Sequence, residues 1–113
     1  MNMTTREVKD MLDSVGLPTA YYQFPENTAQ APPVICFYYP KSRNFHADDD
    51  VYARAEELVV ELYTPEKRFD LEAKVEEALN AHGLAWRREE HFMKAEHLIV
   101  EVYRMIVALR RDE

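Results

Sequence analysis

Residues 53–64 read ARAEELVVELYT, and the fold turns on whether they form a helix or a strand. The front half is rich in helix formers. Leu58, Val60 and Leu62, however, alternate with Glu57, Val59 and Glu61, and a period of two puts each set on one face of a strand. Thr64-Pro65 then supplies a stop. The same choice recurs at 85–109, AWRREEHFMKAEHLIVEVYRMIVAL. Leu98, Val102, Ile106 and Leu109 would suit a helical stripe. The β-branched residues between Ile99 and Val107, with Leu98, Val100 and Val102 opposed to Glu101 and Tyr103, predict a strand instead. A turn near residues 93–95 makes this segment a C-terminal hairpin, across which His91 and His97 could face each other.

Outward from these strands, the helices are better marked. Thr4 and Glu7 form a capping box. Val8, Met11, Leu12 and Val15 follow at helical spacing, and Gly16 and Pro18 end the pattern, which predicts a helix over 5–15. FDLEAKVEEALNAHG (69–83) places Leu71, Val75, Ala78, Leu79 and His82 on one face, with Asp70 as a cap and Gly83 as terminator. His82 then sits at a helix C-terminus, where the macrodipole favours its charged form. TAYYQF (19–24) lies between Pro18 and Pro25 and suits an edge strand. VICFYY (34–39), apolar and uncharged, reads as a central strand covered on both faces. The predicted fold is α+β: a mostly antiparallel sheet with two helices on one face, in the order helix, three strands, helix, two-strand hairpin. The first three strands are expected to form a meander.

Chain totals narrow the function classes. One domain, 1–113, fits the length. The 14 basic and 21 acidic residues give a net charge of −7, which argues against tight nucleic-acid binding, since that relies on neutralising phosphates. A single cysteine, Cys36, leaves no internal disulfide and no CxxC motif. The N-terminus has no signal-peptide pattern, and no apolar run approaches the ~20 residues of a membrane span. A reducing cytoplasm is the expected compartment.

The segment KSRNFHADDDVY (41–52) is the place to look for chemistry. Three consecutive aspartates alternate sides in an extended chain, and the calcium-loop spacing and its glycine are missing. The four histidines lack zinc-ligand spacing, Cys36 lies in the most apolar strand, and pairs such as Glu76-Glu77 and Glu89-Glu90 read as exposed charges. No nucleophile–base set, metal site or cofactor site emerges, so the sequence argues against an enzyme. What remains is a surface. Lys41, Arg43, Phe45, Asp48, Asp49, Asp50 and Tyr52 combine both charge signs with aromatics, the composition of protein contacts. The same tyrosines, with Tyr38 and Tyr39, could equally finish the core.

A resemblance adds to this. MTTREVKDMLDSVGLPTAYYQFPENTAQAPPVICFYYP (3–40) and VVELYTPEKRFDLEAKVEEALNAHGLAW (59–86) are similar to small prophage proteins of the tail terminator (tail completion, head–tail joining) family of long-tailed bacteriophages. SVGLPTAYY (14–22) and LEAKVEEALNAHGLAW (71–86) carry it most specifically, whereas the DDD run and RREEHF depart from the family pattern. Family members start at the equivalent of Met3, which would leave Met1-Asn2 as an upstream start or a cloning remnant. The resemblance implies an α+β subunit that assembles into a ring, commonly a hexamer. Such a ring caps the tail tube protein's polymer and meets the head–tail connector, and DNA passes through without specific binding. The expected location is the virion's tail–head junction, reached from the host bacterial cytoplasm. Within the same class stands a head–tail adaptor or stopper ring. Outside it stands a ferredoxin-like small-ligand regulatory module, whose usual glycine at a strand-to-helix turn is absent here.

Overall fold

The computed structural model of the protein describes residues 2–23, 30–43 and 53–110. Its elements, in chain order, are β1 (Asn2–Met3), α1 (Thr5–Asp13), β2 (Thr19–Tyr21), β3 (Val34–Tyr38), β4 (Ala53–Thr64), α2 (Phe69–Ala81), β5 (Arg87–Met93) and β6 (Leu98–Arg110). Both ambiguous segments are strands. β4 and β6 pair antiparallel from Ala53 opposite Arg110 to Thr64 opposite Ile99. β5 completes the expected hairpin on the other side of β6, from Arg87 opposite Arg104 to Met93 opposite Leu98. The sheet order is β1-β6-β4-β3-β2, with β5 sharing the β1 side of β6. The class is therefore α+β, as the sequence predicts.

Three expectations are corrected. β2 and β3 run parallel, Thr19 opposite Ile35 and Tyr21 opposite Phe37, so the first three strands are not a meander. The intervening residues 22–33 are long enough for the return that a parallel pair requires. Asn2 and Met3 form a strand parallel to the end of β6, opposite Ala108 and Leu109, where the sequence shows no periodicity. The hairpin turn lies at residues 94–97, so His91 stands opposite Val100 and the two histidines do not face each other. His97 takes a left-handed φ of 53° in that turn, with its ring 6.5 Å from that of Phe92.

The local helix signals behave as their chemistry dictates. Thr4 Oγ1 accepts from the Glu7 N–H at 3.0 Å, and Glu7 Oε1 accepts from the Thr4 N–H at 2.8 Å. Gly16 follows at a φ of 93° that only glycine adopts easily. Asp70, expected to cap α2, does not: Arg68 holds the N-cap without a side-chain cap bond. Instead the Arg68 guanidinium grips the Asp70 carboxylate at 2.9 Å, lowering its pKa to about 2. His82 is the C-cap of α2, its Nδ1 2.9 Å from the Ala78 carbonyl.

Pleat parity splits the sheet into two faces. Val8, Met11, Leu12 and Val15 of α1 and Leu71, Val75 and Leu79 of α2 join one core with Ile35, Phe37, Leu58, Val60, Leu62, Tyr103, Met105 and Val107. Each fully buried side chain of this size contributes about 1.5–3 kcal/mol. The opposite face holds a smaller cluster of Val59, Val100 and Val102, with Tyr38 and Tyr63 packed beside it and no helical residue. β3 is buried on both sides, as Val34, Ile35, Cys36 and Phe37 show, yet helices cover only one of them. Among the described residues, no helix is long and apolar enough to cross a membrane.

Candidate functional site

After Pro40 the chain continues alongside β4. The Glu57 N–H donates to the Lys41 carbonyl at 2.9 Å, and Ser42 bridges Glu56. This pinning holds Lys41 and Arg43 over the helix-free face, beside the nearly buried Glu57. Glu57 collects three cations: Arg43 at 3.7 Å, Arg104 at 3.8 Å and Lys41 at 4.0 Å. Arg104 also reaches Glu89 at 3.3 Å. An open groove of about 490 Å³ lies here, with Arg43, Glu57, Trp86, Arg87, Arg104 and Ile106 among its walls. Two of the contact residues expected from sequence, Lys41 and Arg43, are thus brought together at one surface. Phe45, Asp48, Asp49, Asp50 and Tyr52 lie outside the described residues.

A second constellation was not visible in the sequence. Glu72 of α2, Glu90 of β5 and Glu101 of β6 bring one carboxylate oxygen each within 4.8 Å of one another. That spacing could hold a divalent cation, but an ammonium is already in the middle. Lys67 Nζ lies 2.7 Å from Glu90, 2.9 Å from Glu72 and 3.4 Å from Glu101, and 4.7 Å from the centre of the Phe69 ring. Arg88 hydrogen-bonds Glu101 and approaches Glu90 at 3.9 Å and Glu72 at 4.0 Å. Three carboxylates therefore share two cations. Burial, then the bond to Glu90, pushes the Glu101 pKa up. The bonds from Glu101 and Lys67 pull that of Glu90 down. These two residues stand directly opposite each other across β5 and β6, an arrangement that drives the titrations of the two carboxyls apart.

The remaining polar groups are also structural. Glu61 accepts from Tyr63 Oη at 2.7 Å and Tyr38 Oη at 2.9 Å on the helix-free face. Burial and this bond push Tyr38 up to about 12 and raise Tyr63 as well. Burial, then the Glu61 charge, raises the Cys36 pKa, which keeps the thiol protonated and unreactive at neutral pH. Tyr103 Oη donates to Glu76 at 2.9 Å, and Trp86 Nε1 donates to Asn80 at 2.9 Å, tying α2 to the hairpin. Glu76 is thus half-buried against Tyr103, whereas Glu90 is exposed, as its sequence context suggests, yet also bonded to Lys67. Among the described residues these groups form one charged surface groove and a set of paired side chains.

Arg87 and Arg104 are the groove residues that the sequence reading passed over. They meet only through the hairpin register, in which they are directly opposite, so counting back from the turn is the signal that finds them. No protein-family model matches this chain, and no curated protein matches it in sequence.

Proposed function

We propose that the chain is a structural subunit of a long-tailed phage, acting as a tail terminator: a ring, commonly a hexamer, that caps the tail tube and presents a surface to the head connector. The observation that carries this reading is β5. All seven of its residues are exposed, and among the described residues only one of its edges is paired, to β6. Such an edge invites another chain. Its Arg87, Arg88, Glu89 and Glu90 discourage indiscriminate pairing and can fix the register of a chosen one. At the sheet's other edge, β2 pairs only with β3 among the described residues. A subunit with two different free edges can make the head-to-tail contacts of a ring. The charge supports the same reading, because six copies at −7 would carry roughly −42, and a negative wall repels DNA in transit instead of gripping it.

Polymerisation of the tail tube protein in the presence and absence of this chain tests the proposal, with length read by electron microscopy and mass by sedimentation. Tubes should stop growing when the chain is added and carry a ring at one end. Unchanged tube growth together with binding to the head connector would favour the adaptor ring. Unchanged growth with no binding to either partner would sink both.

A further inference from the structure

The groove beside Arg43 is charged out of balance. Among the described residues, Arg43, Arg87 and Arg104 line it with Glu57 as the one acidic wall residue, and Lys41 and Glu89 pair at its margin, in a chain whose net charge is −7. Arg87 has no ion pair among the described residues and stands opposite Arg104. Like charges directly opposite one another on paired strands destabilise the pair, and an anion placed between them relieves that repulsion. Ile106 is 48% exposed, and Trp86 also lines the groove, so apolar surface adjoins the cations. The complement is a short acidic peptide with large apolar side chains close by.

The chain contains one such stretch. Residues 45–52 read FHADDDVY, whose aspartates are the only run of three acidic residues in the sequence, with Phe45 before them and Tyr52 after. We propose that the Arg43–Arg87–Arg104 groove receives the acidic run Asp48, Asp49 and Asp50 from a second copy of the same chain. The segment and the groove come from different residues of the chain, so a contact between them is heterologous and repeats from copy to copy until a ring closes. Guanidinium groups suit it because each can bind a carboxylate through two parallel N–H donors. This inference rests on the ring reading and assigns its contact.

Charge reversal tests it. One variant carries Asp48→Lys, Asp49→Lys and Asp50→Lys, and the other carries Arg43→Glu and Arg87→Glu. Melting curves establish that both fold, and Arg87→Glu alone serves if the pair does not. Association is measured by sedimentation, without and with tail tube protein. Each variant alone should associate roughly tenfold or more weakly than the natural chain. An equimolar mixture should recover, because every lysine segment then meets a glutamate groove and every aspartate segment an arginine groove. Association unchanged in either variant overturns the contact and leaves the ring reading standing. Recovery only in a chain carrying both sets of reversals places the segment in its own groove and also overturns the proposal. If the natural chain associates under neither condition, the ring reading itself falls.

Discussion

Replacing Lys67 with methionine removes the ammonium at the centre of three carboxylates while keeping an aliphatic stem of similar length. The side chains of Glu72 and Glu101 are only 7% and 1% exposed, so water cannot fully replace the lost partner. Breaking a buried pair by removing one partner costs about 3–5 kcal/mol. Two features of this site reduce that figure: Lys67 is itself 29% exposed, and Arg88 still reaches all three carboxylates. A loss of about 2–3 kcal/mol at pH 7 is therefore expected. The pH dependence is the sharper part. Glu101 already has a pKa raised above its ordinary 4.5 in the folded chain, and loss of Lys67 raises the cluster further. A raised carboxyl stabilises the fold below its unfolded pKa, and that stability is lost as pH rises through the folded value. The deficit of Lys67→Met relative to the natural chain should accordingly be largest near neutrality and shrink as the pH falls towards 4.5. Urea titrations at several pH values measure it. A deficit under about 0.5 kcal/mol at pH 7, or one that is constant with pH, would refute the reasoning.

Two further outcomes are expected. Leu79→Ala, at a side chain with no exposed surface in the helix–sheet core, should cost about 2–5 kcal/mol. At about 4 °C per kcal/mol for a chain of this size, that lowers the melting temperature by roughly 8–20 °C, and a shift below about 2 °C would remove Leu79 from the core. Calcium should leave the melting temperature of the natural chain unchanged, because the Lys67 ammonium occupies the position a cation would take between Glu72, Glu90 and Glu101. Lys67→Met should be stabilised by the ion, and a calcium response in the natural chain would show that the ammonium does not fill that place.

What the sequence showed depended on distance along the chain. The Thr4–Glu7 box, the left-handed Gly16 and the stripes of α1 and α2 are set by residues within a few positions of each other, so periodicity and capping chemistry read them directly. Alternation identified β4 and β6 because one face of each is buried under helices. The parallel pairing of β2 with β3 left no such trace, since TAY carries no mark of direction and the return occupies residues 22–33. Asn2–Met3 is too short to show a period. Nothing in its own helix marks Glu72 for burial; its partners Lys67 and Arg88 approach from outside the helix. The groove was half legible. Lys41 and Arg43 stood out for their charge beside aromatics, whereas Arg87 and Arg104 needed the hairpin register.

The place of β6 has a consequence for how the protein is made. It pairs with β4 along one edge and with β5 and β1 along the other, so three strands depend on it for their place in the sheet. All three leave the ribosome before it does. Until β6 emerges, β4 has an unpaired edge along its whole length and β1 and β5 have no partner among the described strands, so only the β2–β3–β4 part of the sheet can form during synthesis. Long-range pairings of this kind slow folding and lengthen the exposure of sticky edges. A nascent chain stalled before residue 98 should accordingly be sensitive to proteases and bound by chaperones, and the protection gained once residues 98–110 are free should appear as one cooperative step.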